Sequence, residues 1–175
     1  MYDSAPKKSI FLVGPMGSGK TAVGRQLAGR LGLPFADSDA QIESRTGVDI
    51  AYIFEREGEE GFRIRERDVI DELTSATGIV LATGGGAILL PINRERLAAR
   101  GTVVFLDTTI EQQLQRTRRS RHRPLLATED RRATLEELMR VREPLYRSIA
   151  KITVRTEGRA AGAVAGDIEK ALGTL

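Results

Sequence analysis

Apolar residues along the chain fall into short continuous runs, separated by stretches in which they recur every third or fourth position. The runs are Ser9 to Val13, Pro34 to Ala36, Ile79 to Ala82, Thr102 to Asp107 and Lys151 to Val154. Short, nearly continuous apolar runs bounded by glycine or proline predict strands buried on both faces, as in a parallel sheet. After Lys20, the residues Val23, Leu27 and Leu31 repeat at four-residue spacing and predict a helix that Gly32 and Pro34 stop. Helical patterning dominates from about Ala40 to Thr74, with breaks around Gly47 and Gly58. It returns over Asn93 to Arg100, from roughly Arg132 to Ile149, and in a last helix that closes the chain. Pro144 should kink the second of these, because it cannot donate to the carbonyl of Arg140. Thr109 with Gln112 has the spacing of a capping box for the helix after the fourth strand.

Strands alternating with helices predict an α/β protein: three layers, α/β/α, around a five-stranded parallel sheet. The 175 residues fit one domain, and no internal repeat or long linker divides them. In such sheets ligands bind beyond the carboxyl ends of the strands. The loops after the first three strands carry "GPMGSGKT" (Gly14 to Thr21), "DSD" (Asp37 to Asp39) and the triple glycine Gly84 to Gly86. All three should gather at one rim.

The first loop matches the phosphate-binding pattern in full, Gly14-x-x-x-x-Gly19-Lys20-Thr21, between a strand and a helix. Its glycines let successive N–H groups turn inward toward phosphate oxygens, and the helix N-terminus adds its positive end. Lys20 supplies a mobile charge for the terminal phosphates, and the Thr21 hydroxyl can ligate Mg²⁺. A nucleoside triphosphate is the expected ligand. No Asn-Lys-x-Asp motif is present to suggest a GTPase switch, and the chain is short for a motor ATPase. A small kinase would need a second pocket beside the first.

Asp37 and Asp39, two apart at a strand end, would share one side. Beside a phosphate loop such a pair can hold Mg²⁺ or accept a hydroxyl proton, while the plainer alternative is an N-cap for the next helix. Arg63 and Glu66 are three apart on a helix, which by itself suggests a surface ion pair. Three glycines after a buried strand suggest backbone that approaches a ligand closely.

Composition narrows the chemistry further. Without cysteine there is no disulfide, thiolate metal site or thiol nucleophile, and one histidine, His122, cannot build a His-rich metal site. No apolar segment approaches a membrane span and nothing resembles a signal peptide, so a soluble cytoplasmic protein with no membrane partner is expected. The net charge of +3 comes from 27 basic and 24 acidic residues. Arg116, Arg118, Arg119, Arg121 and Arg123 crowd one segment that has no interleaved aromatics for stacking bases. A phosphate-rich small substrate accounts for them as well as a nucleic acid would, and none is expected as a partner.

Taken in order, GPMGSGKT, DSD, GFRIRE (Gly61 to Glu66), GGGA (Gly84 to Ala87), RPLL (Arg123 to Leu126) and the Arg142-x-Pro144-Leu-Tyr146 segment resemble the shikimate kinases over roughly residues 8 to 165. The resemblance implies a P-loop NTPase fold of the nucleoside monophosphate kinase type. It also implies an acceptor-binding helical region at about 38–76 and a lid at about 117–131. The implied reaction is ATP-dependent phosphorylation of the 3-hydroxyl of shikimate, with one Mg²⁺ per subunit; separately, no exposed apolar stripe demands a partner, so a monomer is expected. The implied nucleotide site comprises Gly17, Ser18, Gly19, Lys20, Thr21 and Ala22, with Arg116 against the adenine, Arg123 on the lid and Arg159. For the metal, Thr21 and Asp37 are implied; for the acceptor, Asp39, Arg63, Gly84, Gly85, Gly86 and Arg142. Asp39, Lys20 and Arg123 would carry the catalysis. The loop "VRTEGRAAG" departs from the family near the base, with Arg155 and Ala161 where Asp and Pro are common. The alternatives are another small-acceptor kinase, for gluconate or a nucleoside monophosphate, or a non-catalytic module whose basic segment holds RNA.

Overall fold

The computed structural model describes residues 8–118 and 124–174. Five parallel strands form one sheet: β1 (Ser9–Val13), β2 (Phe35–Asp37), β3 (Val80–Ala82), β4 (Gly101–Asp107) and β5 (Ile152–Arg155). Their order across the sheet is β2-β3-β1-β4-β5, so β3 lies between β2 and β1. The loops leaving the first three strands are therefore neighbours, which is how residues far apart in sequence reach one rim.

Side-chain alternation along each strand divides the core into two layers. Ile10, Leu12, Val80, Val104 and Leu106 face one side, covered by helices α1 (Lys20–Leu31) and α7 (Ala161–Leu172) through Val23, Leu27, Val164 and Ile168. Phe11, Val13, Leu81, Val103 and Phe105 face the other. There they meet Ile70 of α3 (Ile50–Ser75), Leu97 of α4 (Pro91–Arg100) and Tyr146 of α6 (Arg131–Ile149). Each such side chain taken fully out of water contributes about 1.5–3 kcal/mol, and this sandwich is the three-layer α/β/α arrangement expected from the sequence.

Helix α2 (Ser38–Thr46) and α3 form a separate lobe with its own cluster, Ile42, Ile53, Phe62 and Val69. The two expected breaks are present: Gly47 ends α2, and Gly58 interrupts α3 with φ 70° and ψ −178°. Two details differ from expectation. Strand β2 stops at Asp37 and Asp39 lies in the first turn of α2, so the two carboxylates are not related by strand alternation. Helix α5 (Ile110–Thr117) is capped by Thr109, whose hydroxyl accepts from Gln112 N at 3.2 Å. The Gln112 side chain does not complete a box, because its Oε1 accepts from Gly158 N at 3.0 Å instead. Pro144 sits within α6, and the helix continues beyond it to Ile149. Among the described residues no helix is long and apolar enough to cross a membrane.

Gly58 can hold its dihedral angles only because it lacks a Cβ, and a methyl group added there would meet nothing within 4 Å. Gly58→Ala should thus cost backbone strain alone, about 1–3 kcal/mol, measured as a lowered midpoint in urea unfolding with an unchanged slope.

Candidate active site

Strand β1 runs straight into the phosphate loop, where Gly14, Gly17 and Gly19 take positive φ values of 150°, 79° and 89°. Lys20, the first residue of α1, folds back over the loop: its Nζ donates to Gly14 O at 2.7 Å, Pro15 O at 2.9 Å and Ser18 Oγ at 3.4 Å. Arg116 of α5 reaches the loop from outside, its Nη1 donating to Gly17 O at 3.0 Å. Ser18 is buried beneath the loop, and Ala22 lies exposed in the first turn of α1.

Asp37 does two jobs. One oxygen caps α2, accepting from Asp39 N at 3.0 Å and Ala40 N at 3.2 Å, so the plainer N-cap reading is correct as far as it goes. The other oxygen accepts from the Thr21 hydroxyl at 2.7 Å. The two residues expected to serve a metal thus touch across the rim.

Beside the phosphate loop lies a cavity of about 270 Å³ that brings together Asp39, Arg63, Glu66, Arg142 and all three glycines of the turn after β3. Two of these glycines, Gly84 and Gly86, are required by what surrounds them. A Cβ on Gly84 would stand 2.6 Å from Asp39 Oδ1 and 2.9 Å from Glu66 Oε1, and one on Gly86 would overlap the Arg63 guanidinium. A Cβ on Gly85 would meet only ordinary contacts, Met16 N at 3.5 Å and Gly14 O and Arg142 Nη1 at 3.6 Å. Phe54 and Phe62, tilted against each other at 4.9 Å, add an apolar wall.

The pair Arg63–Glu66 forms, but not on the surface. Arg63 Nη1 donates to Glu66 Oε2 at 2.6 Å, with the Glu66 side chain 1% exposed and that of Arg63 11%. Glu59 holds the other side of the guanidinium at 3.0 Å. Burial pushes the Glu66 carboxyl above the ordinary carboxylate range, against the pull of Arg63 and Arg142. Burial draws Arg63 down, yet Glu66 and Glu59 outweigh it and hold the guanidinium above its usual value. Arg142 is buried as well, and its Nε makes no hydrogen bond to the protein; neither does Glu66 Oε1.

Of the residues expected from sequence, Arg159 stands apart: it pairs with Asp167 of α7 at 2.6 Å and donates to Arg155 O at 3.2 Å. Arg123 lies outside the described residues. Two residues without an expected role belong to the site. Glu66 was visible as a partner of Arg63 but not as buried. Tyr146, inside the Arg142-x-Pro-Leu-Tyr motif, donates its hydroxyl to Gly85 O at 2.5 Å.

A family model described as shikimate kinase matches residues 16–173. The chain is 58% identical over 168 residues to a shikimate kinase of Vibrio cholerae serotype O1, covering 96% of this chain and 97% of that protein. Its fold superposes on the shikimate kinase of Acinetobacter baumannii in complex with shikimate, with a TM-score of 0.95 and 52% identity over 96% and 94% of the two chains. A gluconokinase from Sinorhizobium meliloti 1021 shares the fold alone, with a TM-score of 0.64 at 18% identity over 98% and 94% of the chains.

The raised pKa of Glu66 carries a signed consequence. The folded chain binds this proton more tightly than the unfolded chain does. The stability this contributes is complete below the ordinary carboxylate value of about 4.3 and is lost as pH rises from there toward the folded value. Urea titrations across that window should show wild type losing stability relative to Glu66→Gln as pH increases.

Proposed function

The chain belongs to the shikimate kinase family, and we infer that it phosphorylates the 3-hydroxyl of shikimate with ATP. The products are shikimate 3-phosphate and ADP, a step toward chorismate and the aromatic amino acids. One observation carries the assignment of roles: the guanidinium groups of Arg63 and Arg142 line the same cavity as Asp39, against the phosphate loop. A hydroxylated acid needs both kinds of group, a fork for its carboxylate and an acceptor for its hydroxyl proton.

Arg63 and Arg142 anchor the acceptor carboxylate, and the backbone of Gly84, Gly85 and Gly86 forms the floor against which the ring rests. Asp39 orients the attacking hydroxyl and accepts its proton as the new O–P bond forms and the bond from the γ-phosphorus to the departing ADP oxygen breaks. The loop N–H groups of Gly17, Ser18, Gly19, Lys20, Thr21 and Ala22 cradle the triphosphate, with Lys20 swinging from the loop carbonyls onto the terminal phosphates. Arg116, already on the loop, contacts the nucleotide; Arg159 reaches it by releasing Asp167. Arg123 closes over the transferring group from a lid at about 117–131, excluding water that would otherwise hydrolyse ATP.

For Mg²⁺ the residues fit. Mg²⁺ keeps several waters and takes one or two protein oxygens besides substrate phosphates, and the touching Thr21 hydroxyl and Asp37 carboxylate supply that number. Among the described residues no cluster of three Asp, Glu, His or Cys offers a fuller cage. When bound, one Mg²⁺ per subunit would neutralise charge on the β- and γ-phosphates. Residues 1–175 work as a single kinase domain, monomeric and cytoplasmic, needing neither nucleic acid nor membrane.

The direct test is ADP release measured side by side with shikimate, gluconate, AMP and no acceptor. Release should depend on shikimate alone; equal release without acceptor would reduce the protein to a nucleotide binder. Asp39→Asn should retain ATP binding while kcat falls roughly 10²- to 10⁴-fold. Arg142→Ala should raise the KM for shikimate well above any change in the KM for ATP, and parallel rises would move the acceptor elsewhere.

A further inference from the structure

We propose that Tyr146 is a positioning residue for the acceptor, its hydroxyl holding the Gly85 carbonyl so that the glycine turn and Arg142 stay in register with the phosphate loop. The proposal rests on the shikimate kinase reading of the cavity. Tyr146 is fully buried, and its ring stacks on Phe105 of β4 at 5.2 Å with 20° between planes. That packing needs only the ring. The hydroxyl is extra, and burying one is unfavourable unless it is hydrogen-bonded. Here it donates to Gly85 O at 2.5 Å, across 61 residues of sequence. Burial pushes the phenol far above its ordinary value, so it remains a donor throughout the working pH range.

What that bond fixes follows from peptide geometry. The Gly85 carbonyl and the Gly86 N–H lie in one plane and point in opposite directions. Tying the carbonyl to Tyr146 therefore sets the Gly86 N–H on the far side of the peptide from α6. The neighbouring Ala87 N–H is taken by Gly84 O at 3.1 Å, and Leu89 N–H by Gly86 O at 3.0 Å, so the rest of the turn is pinned as well.

The same glycine lies beside both the phosphate loop and Arg142. The side of Gly85 where a Cβ would project has Met16 N at 3.5 Å, and Gly14 O and Arg142 Nη1 at 3.6 Å. Arg142 lies one helical turn before Tyr146 on the same face of α6. A single hydroxyl thus ties the helix that carries the carboxylate-binding arginine to the turn that floors the cavity. Arg63 and Glu66 also bear electrostatically on the phenol, which places it within the same charge network.

The test compares Tyr146→Phe, which keeps the stacked ring and removes the donor, with Phe105→Leu, which disturbs the stack and leaves the donor. Tyr146→Phe should raise the KM for shikimate roughly three- to tenfold, with the KM for ATP within about twofold. Phe105→Leu should lower the melting temperature with both KM values nearly unchanged. The proposal falls if Tyr146→Phe leaves the shikimate KM where it was, if it fails to fold, or if Phe105→Leu shifts the shikimate KM equally. Wild type is measured alongside. A wild type that does not turn over shikimate overturns the assigned function itself, whereas an active wild type with an unshifted Tyr146→Phe overturns only the positioning role.

Discussion

Two residues without a Cβ, Gly84 and Gly86, allow three titratable side chains to close on one turn of backbone, beside a fourth at ordinary contact distance. Asp39 and Glu66 occupy the space a side chain on Gly84 would need, Arg63 the space beside Gly86, and Arg142 the space beside Gly85. A larger residue at Gly84 would displace Asp39 and Glu66, and one at Gly86 would displace the Arg63 guanidinium. The turn reaches this position because β3 is inserted between β2 and β1, so its exit loop has the Asp37 loop on one side and the phosphate loop on the other. Sheet order and glycine content together set the spacing of the site.

The charges in that space are incompletely matched. Burying a guanidinium is costly, and Glu66 offsets the cost for Arg63 through a 2.6 Å ion pair. Its second oxygen and the Nε of Arg142 are buried with no protein partner. An interior that leaves such groups open is less stable than one that closes them, and an arriving carboxylate can satisfy Arg142 without disturbing the pair beside it. The groups are held before the acceptor arrives, so little reorganisation opposes the reaction.

The parts of the molecule readable in sequence are those whose partners are local. The phosphate loop is contiguous, the strands announce themselves as apolar runs, and Gly47 and Gly58 mark breaks that depend only on their own dihedral angles. Where two local patterns compete, sequence misleads. Asp37 and Asp39 fit strand alternation and an N-cap equally well, and the cap ends the strand at Asp37, two residues short of Asp39. Three-residue spacing cannot distinguish a solvated Arg63–Glu66 pair from a buried one, because burial comes from Gly84, eighteen positions beyond Glu66. Tyr146 stood in a recognised motif but its role was hidden for the same reason: the atom it binds belongs to another element, and an aromatic residue on an amphipathic helix reads simply as core.

Fold does not select the acceptor, since kinases of other small molecules share this architecture. Helices α2 and α3 pack around an apolar cluster of their own, Ile42, Ile53, Phe62 and Val69, and join the sheet through Ile70. Acceptor and phosphate must meet in line, and Asp37 links their two sides. One of its oxygens fixes the first turn of α2, which carries Asp39, and the other takes the hydroxyl of Thr21 at the start of α1. A single carboxylate therefore ties the first turn of α2, with Asp39, to the start of α1 beside the phosphate loop.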